Sequence, residues 1–317
     1  MKNATLRQLK VFETAARHLN FSRAAEELHL TQPAVSTQIK LLQQHAGLAL
    51  FEQLGKRVHL TPAGSELLRY SRAIIELFRQ AGEAMAVHHG VSGGTLHVAV
   101  ISAGDTFFPR LLAEFARTAP GVKLDLGVFN RQQLLQQLGD NLTDLAIMVR
   151  PPRELDTINE AFAPHPYVIV ARTDHPLAHR RHLPVSALLH ESWLTRERGS
   201  DTWNSMEDGF GAQLAKLNIA MEIRSTETIK QAVIAGLGIS FLSAHSIGDE
   251  LRQRQLAVLD VVGFPLRLQW YVVHLRQKVL APVAMAFKAF LLEHGAGLIG
   301  QVTGSHTPAA RRASKGG

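Results

Sequence analysis

The chain has 317 residues, 46% of them apolar, no cysteine and a formal net charge of +7. That length suggests two or three domains with sizeable cores, and the missing cysteines exclude disulfides, thiolate metal sites and cysteine nucleophiles together. The charge sits at the ends: residues 1–60 carry eight Lys and Arg against four Asp and Glu, residues 301–317 carry Arg311, Arg312 and Lys315 with no acid, and the 240 residues between them sum to zero. A basic first module on a neutral remainder has the electrostatic footprint of a nucleic-acid-reading head joined to a part with another task. The N-terminal stretch is amphipathic and lacks the apolar core of a signal peptide. No run reads as long enough to span a bilayer, so a cytoplasmic protein without a membrane is expected.

Residues Phe21 to Lys40, FSRAAEELHLTQPAVSTQIK, predict two short helices joined by a three-residue turn. Ser22 is the expected first N-cap with Phe21 as its staple; Ala24, Ala25 and Leu28 form a small apolar face, and the helix is expected to end near His29. Thr31 caps the second helix and Pro33 occupies its first turn, where a missing N–H costs nothing. Val35, Ile39 and Leu42 point inward. Arg23, Thr31, Gln32, Pro33, Ser36, Thr37, Gln38 and Lys40 are then the candidate DNA contacts, suited to base edges and phosphates. An outward polar face is also what any solvated hairpin has, but the alanine pair permits the close helix approach of a helix-turn-helix. Leu50 to Gln53 and Val58 to Leu60 predict a two-stranded wing around Gly55, with Lys56 and Arg57 as backbone contacts. Residues 1–60 are thus expected to form a winged helix-turn-helix domain.

From Thr61-Pro62 to about His89, Leu67, Tyr70, Ile74, Leu77, Phe78, Ala81 and Met85 recur at helical spacing and predict a linker helix, residues 61–90, that dimerises. Gly90 to Gly94 breaks it. The G-x-S-x-G pattern there is not a hydrolase elbow, because a helix precedes it and a strand follows. Gly236-Leu237-Gly238 lies between a helix and a strand and reads as a turn, not a dinucleotide fingerprint.

Beyond Thr95 the pattern alternates: strands at 96–101, 122–128 and 145–148 enclose helices at 107–117 and 131–138, which predicts βα repeats and a parallel sheet. A second series starts near Tyr167, continues through strands at 192–194, 219–223 and 239–242, and ends with a strand at 267–273 and a helix over 282–292. The expected class is α/β, with two lobes in residues 95–300: lobe I from 95–166 and 271–300, lobe II from 167–270. A flexible basic tail, 301–317, follows. Ligands in such sheets bind beyond strand carboxyl ends, where helix N-termini favour anions. That rule selects Ser102, Asn130, Arg131, Met148, Arg150, Thr195, Arg196, Ser200 and Thr202, with Ile239 from the second lobe's sheet. The arginines favour an anionic, phosphorylated ligand. No acid pair, catalytic triad or phosphate loop supports an enzyme. His88-His89 and His179 with His182 lack the spacing of a helical zinc pair, and neither a metal nor a cofactor is expected.

AAEELHLTQPAVSTQIK, the wing LFEQLGKRVHLTPAG, the long helix and the two lobes resemble the LysR-type transcriptional regulators over essentially the whole chain. Within that family, NRQQLLQQLGDNLTDLAIMVRPP, FAPHPYVIVARTDHPLA and STETIKQAVIAGLGISFLS are similar to the regulators of the Calvin-cycle (RuBisCO) operon. Gln53 and Thr37 stand where the family often has basic residues, and Val149 where the subgroup is expected to have glycine. The resemblance implies lobes like a periplasmic binding protein, a homodimer or homotetramer on double-stranded DNA, contact with RNA polymerase, and an effector in the cleft, either a phosphorylated metabolite or NADPH. Two rivals are a regulator of another metabolic operon and a DNA-bound architectural protein whose lobes only assemble subunits. Ligand-dependent footprint or bending separates the last from a regulator.

Overall fold

The computed structural model describes residues 1, 3–55, 57–88 and 93–303. These divide into two units, 1–88 with 139–142, and 93–138 with 143–303. Lys56, His89, Gly90 to Ser92 and residues 304–317, on which the wing-tip, helix-break and basic-tail expectations fall, lie outside the described residues.

In the first unit, Thr5 and Gln8 form a reciprocal capping box at the start of helix α1, Leu6–His18. Helix α2, Phe21–Glu27, begins two residues earlier than expected: Asn20, not Ser22, is its N-cap, with Oδ1 accepting from the amides of Ser22 and Arg23. The longer Asx side chain reaches both amides from outside the helix, which leaves Ser22 within the first turn. Helix α3, Gln32–Ala46, is capped by Thr31 with Pro33 in its first turn and stops at Gly47, φ 71°. Strands β1, Phe51–Leu54, and β2, Arg57–Leu60, pair antiparallel across Gly55, φ 64°. Helix α4 then runs from Pro62 to His88.

Fully buried Phe12, Ala24, Val35 and Leu42 form the core of the module, and Phe51 meets Phe12 and Phe21 edge-on at 5.4 and 5.2 Å. The Gln43 Oε1 accepts from the amides of Leu50 and Phe51 at 2.8 and 3.3 Å, fastening α3 to the wing.

The second unit contains β3 (Gly94–Ile101), α5 (Phe108–Thr118), β4 (Val122–Phe129), α6 (Arg131–Gly139), β5 (Leu145–Met148) and β6 (Thr157–Arg172). After these come β7 (Ser192–Thr195), α7 (Asp201–Phe210), β8 (Asn218–Glu222), α8 (Thr226–Ile234), β9 (Ile239–Ser243), α9 (Gly248–Arg252), β10 (Leu256–Val258), β11 (Leu266–Leu275) and α10 (Pro282–Thr303). The sheet order is β4-β3-β5-β11-β6-β9-β7-β8, with β10 on β6.

The sheet is mixed, not parallel. β3 pairs parallel with β4 and β5, and β7 with β8 and β9, but β11 is antiparallel to β5 and β6, and β6 to β9. β6 begins ten residues before Tyr167, where sequence reading started it. Pro164 and Pro166 lack a ladder donor and argue against a central strand, yet both sit opposite β11 at Gln269 and Arg267. The last helix also runs past Leu292. Pro282–Gln301 is long and apolar enough to cross a membrane by length and composition, which corrects the expectation of no such run. One face of it, including Val283, Ala284, Phe287, Leu291 and Ile299, belongs to the core of the β3-β4-β5 half.

β6 and β11 join the two halves. Where they cross, the His165 ring stacks on Trp270 at 4.2 Å and on Tyr167 at 4.5 Å, its Nε2 is 2.8 Å from Ser243 Oγ, and Trp270 Nε1 donates to His245 Nδ1 at 3.2 Å. Burial holds His165 well below the usual imidazole range and pushes His245 down to about 4.

All three tryptophans, Trp193, Trp203 and Trp270, lie in the second unit. Phe12→Ala removes a fully buried ring from the first unit, a loss of about 3–5 kcal/mol. Operator binding should fall steeply while the tryptophan-detected denaturation midpoint of the full chain stays unchanged. A second expectation concerns pH. The folded His245 titrates near 4, whereas the unfolded ring titrates near its ordinary 6.5, so unfolding takes up a proton between those values and stability falls as pH drops through that window. In His245→Gln the tryptophan-detected midpoint should fall less between pH 6.5 and 4 than in the wild type.

Candidate functional site

The first surface is the start of α3. Thr31, Gln32, Pro33, Thr37 and Lys40 are exposed, Ser36 and Gln38 half-buried, while Val35 and Ile39 face inward on the same helix. Gln32 Nε2 donates to Ser36 Oγ at 3.0 Å. The pair therefore presents one pre-ordered amide-hydroxyl group, with the Gln32 carbonyl and remaining amide N–H available for a base edge. The Thr37 hydroxyl donates to the Pro33 carbonyl at 2.9 Å, which leaves its methyl and an oxygen lone pair outward. Arg23 on α2 and Arg57 at the start of β2 are exposed and complete the polar surface.

The second site is a narrow cleft between the two halves of the second unit, with about 10 Å³ of free space, room for about one water. Ser102 follows β3, Asn130 and Arg131 follow β4, Arg196 follows β7, and Ser200, Asp201 and Thr202 form the start of α7; all line it, with Ile101 and Ala103 beside them. Local sequence explains the positions. Asn130 Oδ1 accepts from the Gln133 amide and Gln133 Oε1 from the Asn130 amide, a reciprocal cap that starts α6 beside the strand end. Ser200 caps α7 through the Trp203 amide. Two helix N-termini thus converge on the cleft, each favouring negative charge.

The three arginines selected from sequence all have carboxylate partners already. Arg131 Nη1 donates to Asp201 Oδ1 at 3.0 Å and to the Arg150 carbonyl at 2.8 Å. Arg196 holds Glu197 through Nε and Nη2 at 2.8 and 3.0 Å, Thr226 Oγ1 at 2.9 Å, and Ser102 Oγ at 3.4 Å. Arg150 lies outside the lining and pairs with Asp208 at 2.5 Å. Burial pushes the Asp201 carboxyl above the usual range, while Arg131 and then Arg150 pull it back.

The structure brings Ser102, Asn130, Arg131, Arg196, Ser200 and Thr202 together and leaves four candidates apart. Met148 and Ile239 are fully buried core residues of their two halves, not cleft residues, because the side-chain alternation of a strand turns them into the packed layers. Arg150 is drawn away by Asp208. Thr195 is buried, and its Oγ1 has no hydrogen-bond partner among the described residues. Sequence reading missed Asp201. An acid directly after a serine cap reads as an ordinary helix-dipole partner, and only the fold brings it to an arginine seventy residues away.

Comparison with known proteins shows the family. Residues 6–65 match the profile "Bacterial regulatory helix-turn-helix protein, lysR family" and residues 89–296 the profile "LysR substrate binding domain". A RuBisCO operon transcriptional regulator of Allochromatium vinosum is 46% identical over 294 residues, 93% of this chain and 97% of that protein. The Synechocystis PCC6803 CcmR regulatory domain in complex with 2-PG is 37% identical with a TM-score of 0.61, covering 63% of this chain and 96% of that one. Full-length CbnR complexed with its target DNA has a TM-score of 0.65 over 92% of this chain and 100% of that chain; at 21% identity it carries the fold alone. The chain belongs to the LysR family of DNA-binding transcriptional regulators.

Proposed function

We propose that this regulator controls a carbon-fixation operon, acting as an activator whose state is set by a small phosphorylated or otherwise anionic metabolite in the cleft. The observation that carries the effector reading is the pair of buried or near-buried guanidinium groups, Arg131 and Arg196, that line one cleft from its two halves beside two helix N-termini. The 46% sequence identity to the RuBisCO operon transcriptional regulator of Allochromatium vinosum supports the choice of operon. 2-Phosphoglycolate is the first effector candidate because the related CcmR domain was solved with 2-PG; nothing in the cleft favours a dinucleotide such as NADPH over a smaller anion. The protein works in the cytoplasm as a homo-oligomer. Tyr70, Ile74, Leu77, Phe78 and Met85 leave an exposed apolar stripe along α4 that a second copy would cover. Residues 1–60 read DNA, 61–90 link subunits, 95–300 bind the effector, and contact with RNA polymerase follows from activation.

On DNA, Gln32→Ala and Ser36→Ala should each reduce the ratio of operator to random-sequence affinity, by about 1–3 kcal/mol if they read a base. Arg57→Ala should weaken both nearly equally and lower the salt slope by about one. Fluorescence anisotropy at several salt concentrations separates these; equal losses on both DNAs for Gln32→Ala would reject base reading by that residue. For the cleft, titration calorimetry against 2-phosphoglycolate, ribulose bisphosphate, phosphoenolpyruvate and NADPH should give saturable heat with a small phosphorylated ligand. Arg196→Met should weaken it by about 10- to 100-fold, the value of a charge-assisted hydrogen bond. No heat from any of the four would remove the effector reading and leave the DNA-binding function in place.

A further inference from the structure

The partners of the three arginines differ in one respect that matters for ligand entry. Asp208, which holds Arg150, is 56% exposed at its side chain, and Glu197, which holds Arg196, is 20% exposed. Either can turn toward water and release its arginine. The Asp201 side chain is 4% exposed. One of its oxygens takes the Arg131 N–H across the cleft, and the other, Oδ2, is buried without a hydrogen-bond partner among the described residues.

An ionised carboxylate with one unsatisfied buried oxygen is an unfavourable arrangement unless the cation beside it compensates. Here the compensation comes from the half of the unit opposite to α7. The Asp201 carboxylate holds the guanidinium of Arg131 in a cleft that the N-terminus of α7 and the Ser102, Ser200 and Thr202 side chains also line, the kind of surroundings that an anionic ligand would use.

We infer that the Asp201 carboxylate is a resident stand-in for the anionic group of the effector, holding Arg131 until a small phosphorylated or carboxylated ligand takes its place. The inference rests on the effector reading above. Arg131 and Asp201 tie the two halves of the unit together. A ligand anion offers Arg131 more than one oxygen, can accept from hydroxyls of the lining that Asp201 does not engage, and repels the Asp201 charge. Binding therefore exchanges one anion for another at Arg131, and the exchange lowers the apparent affinity of every anionic effector by the free energy needed to dislodge the resident one.

Asp201→Asn tests this, since it keeps the shape and removes the charge. Calorimetry with the full-length protein and 2-phosphoglycolate, with phosphoenolpyruvate as the second probe, should show the variant binding at least 10-fold more tightly than wild type. Asp201→Ser serves if the asparagine variant misfolds, with far-ultraviolet circular dichroism and operator binding as checks. Adding Arg131→Met should abolish the gain, giving a coupling between the two positions in a double-mutant cycle. Equal or weaker binding by the charge-free variants, with wild type binding normally, overturns the stand-in and leaves the effector cleft intact. Binding by the variants alone supports it. No binding by either protein removes the effector reading and this inference with it.

Discussion

The antiparallel pair of β6 and β11 is the constraint on which the second unit depends. It runs from Leu266 opposite Tyr167 to Leu275 opposite Thr157, long enough to serve both halves of the sheet, so that each half's parallel strands hang from the same two-stranded beam. At the crossing the side chains are aromatic and stacked, and the polar groups among them include the His165 and His245 imidazoles, the Trp270 N–H and the Ser243 hydroxyl. Stiff, stacked rings of low conformational entropy make this a close-packed joint that excludes water. The cleft opens beside it, which explains why its lining comes from strand ends of both halves.

Much of the architecture was legible because local signals agree with the global arrangement. Thr31, Pro33 and Gly47 bracket α3 by cap, first turn and stop, and Ala24 and Ala25 announce a close helix crossing. The cleft candidates followed from strand-end logic, and six of ten line it. The failures have equally local causes. Asn20 and Ser22 are both good caps, and the choice depends on where the preceding chain enters. Pro164 and Pro166 hide the first ten residues of β6, because their missing donors are tolerable at positions where β11 does not require one. Strand direction was not readable at all: alternation of β and α patterns implies parallel neighbours, but β11 arrives from the far end of the chain and reverses the order. Ion pairing was the least visible property. Three arginines looked like vacant anion receptors, and each proves to be satisfied by a carboxylate 1, 58 or 70 residues away.

That last point changes how charge in the cleft should be read. On the exchange inferred above, a cleft that holds its own counter-ions selects an anion by displacement. Its selectivity comes from the difference between two bound anions rather than from the strength of one contact. Affinity is given up to obtain it, and a regulator has reason to accept that, since a sensor is informative only when its midpoint lies near the ligand's working concentration.

The Gln43 carboxamide, described as a fastening between α3 and the wing, has a further consequence. With one amide shared between the helix meant for the groove and the hairpin meant for the backbone, the two cannot adjust their separation independently. The module behaves as a caliper locked at a single opening. Tolerance for half-sites spaced differently along a duplex must then arise outside it, in how two such modules are held apart.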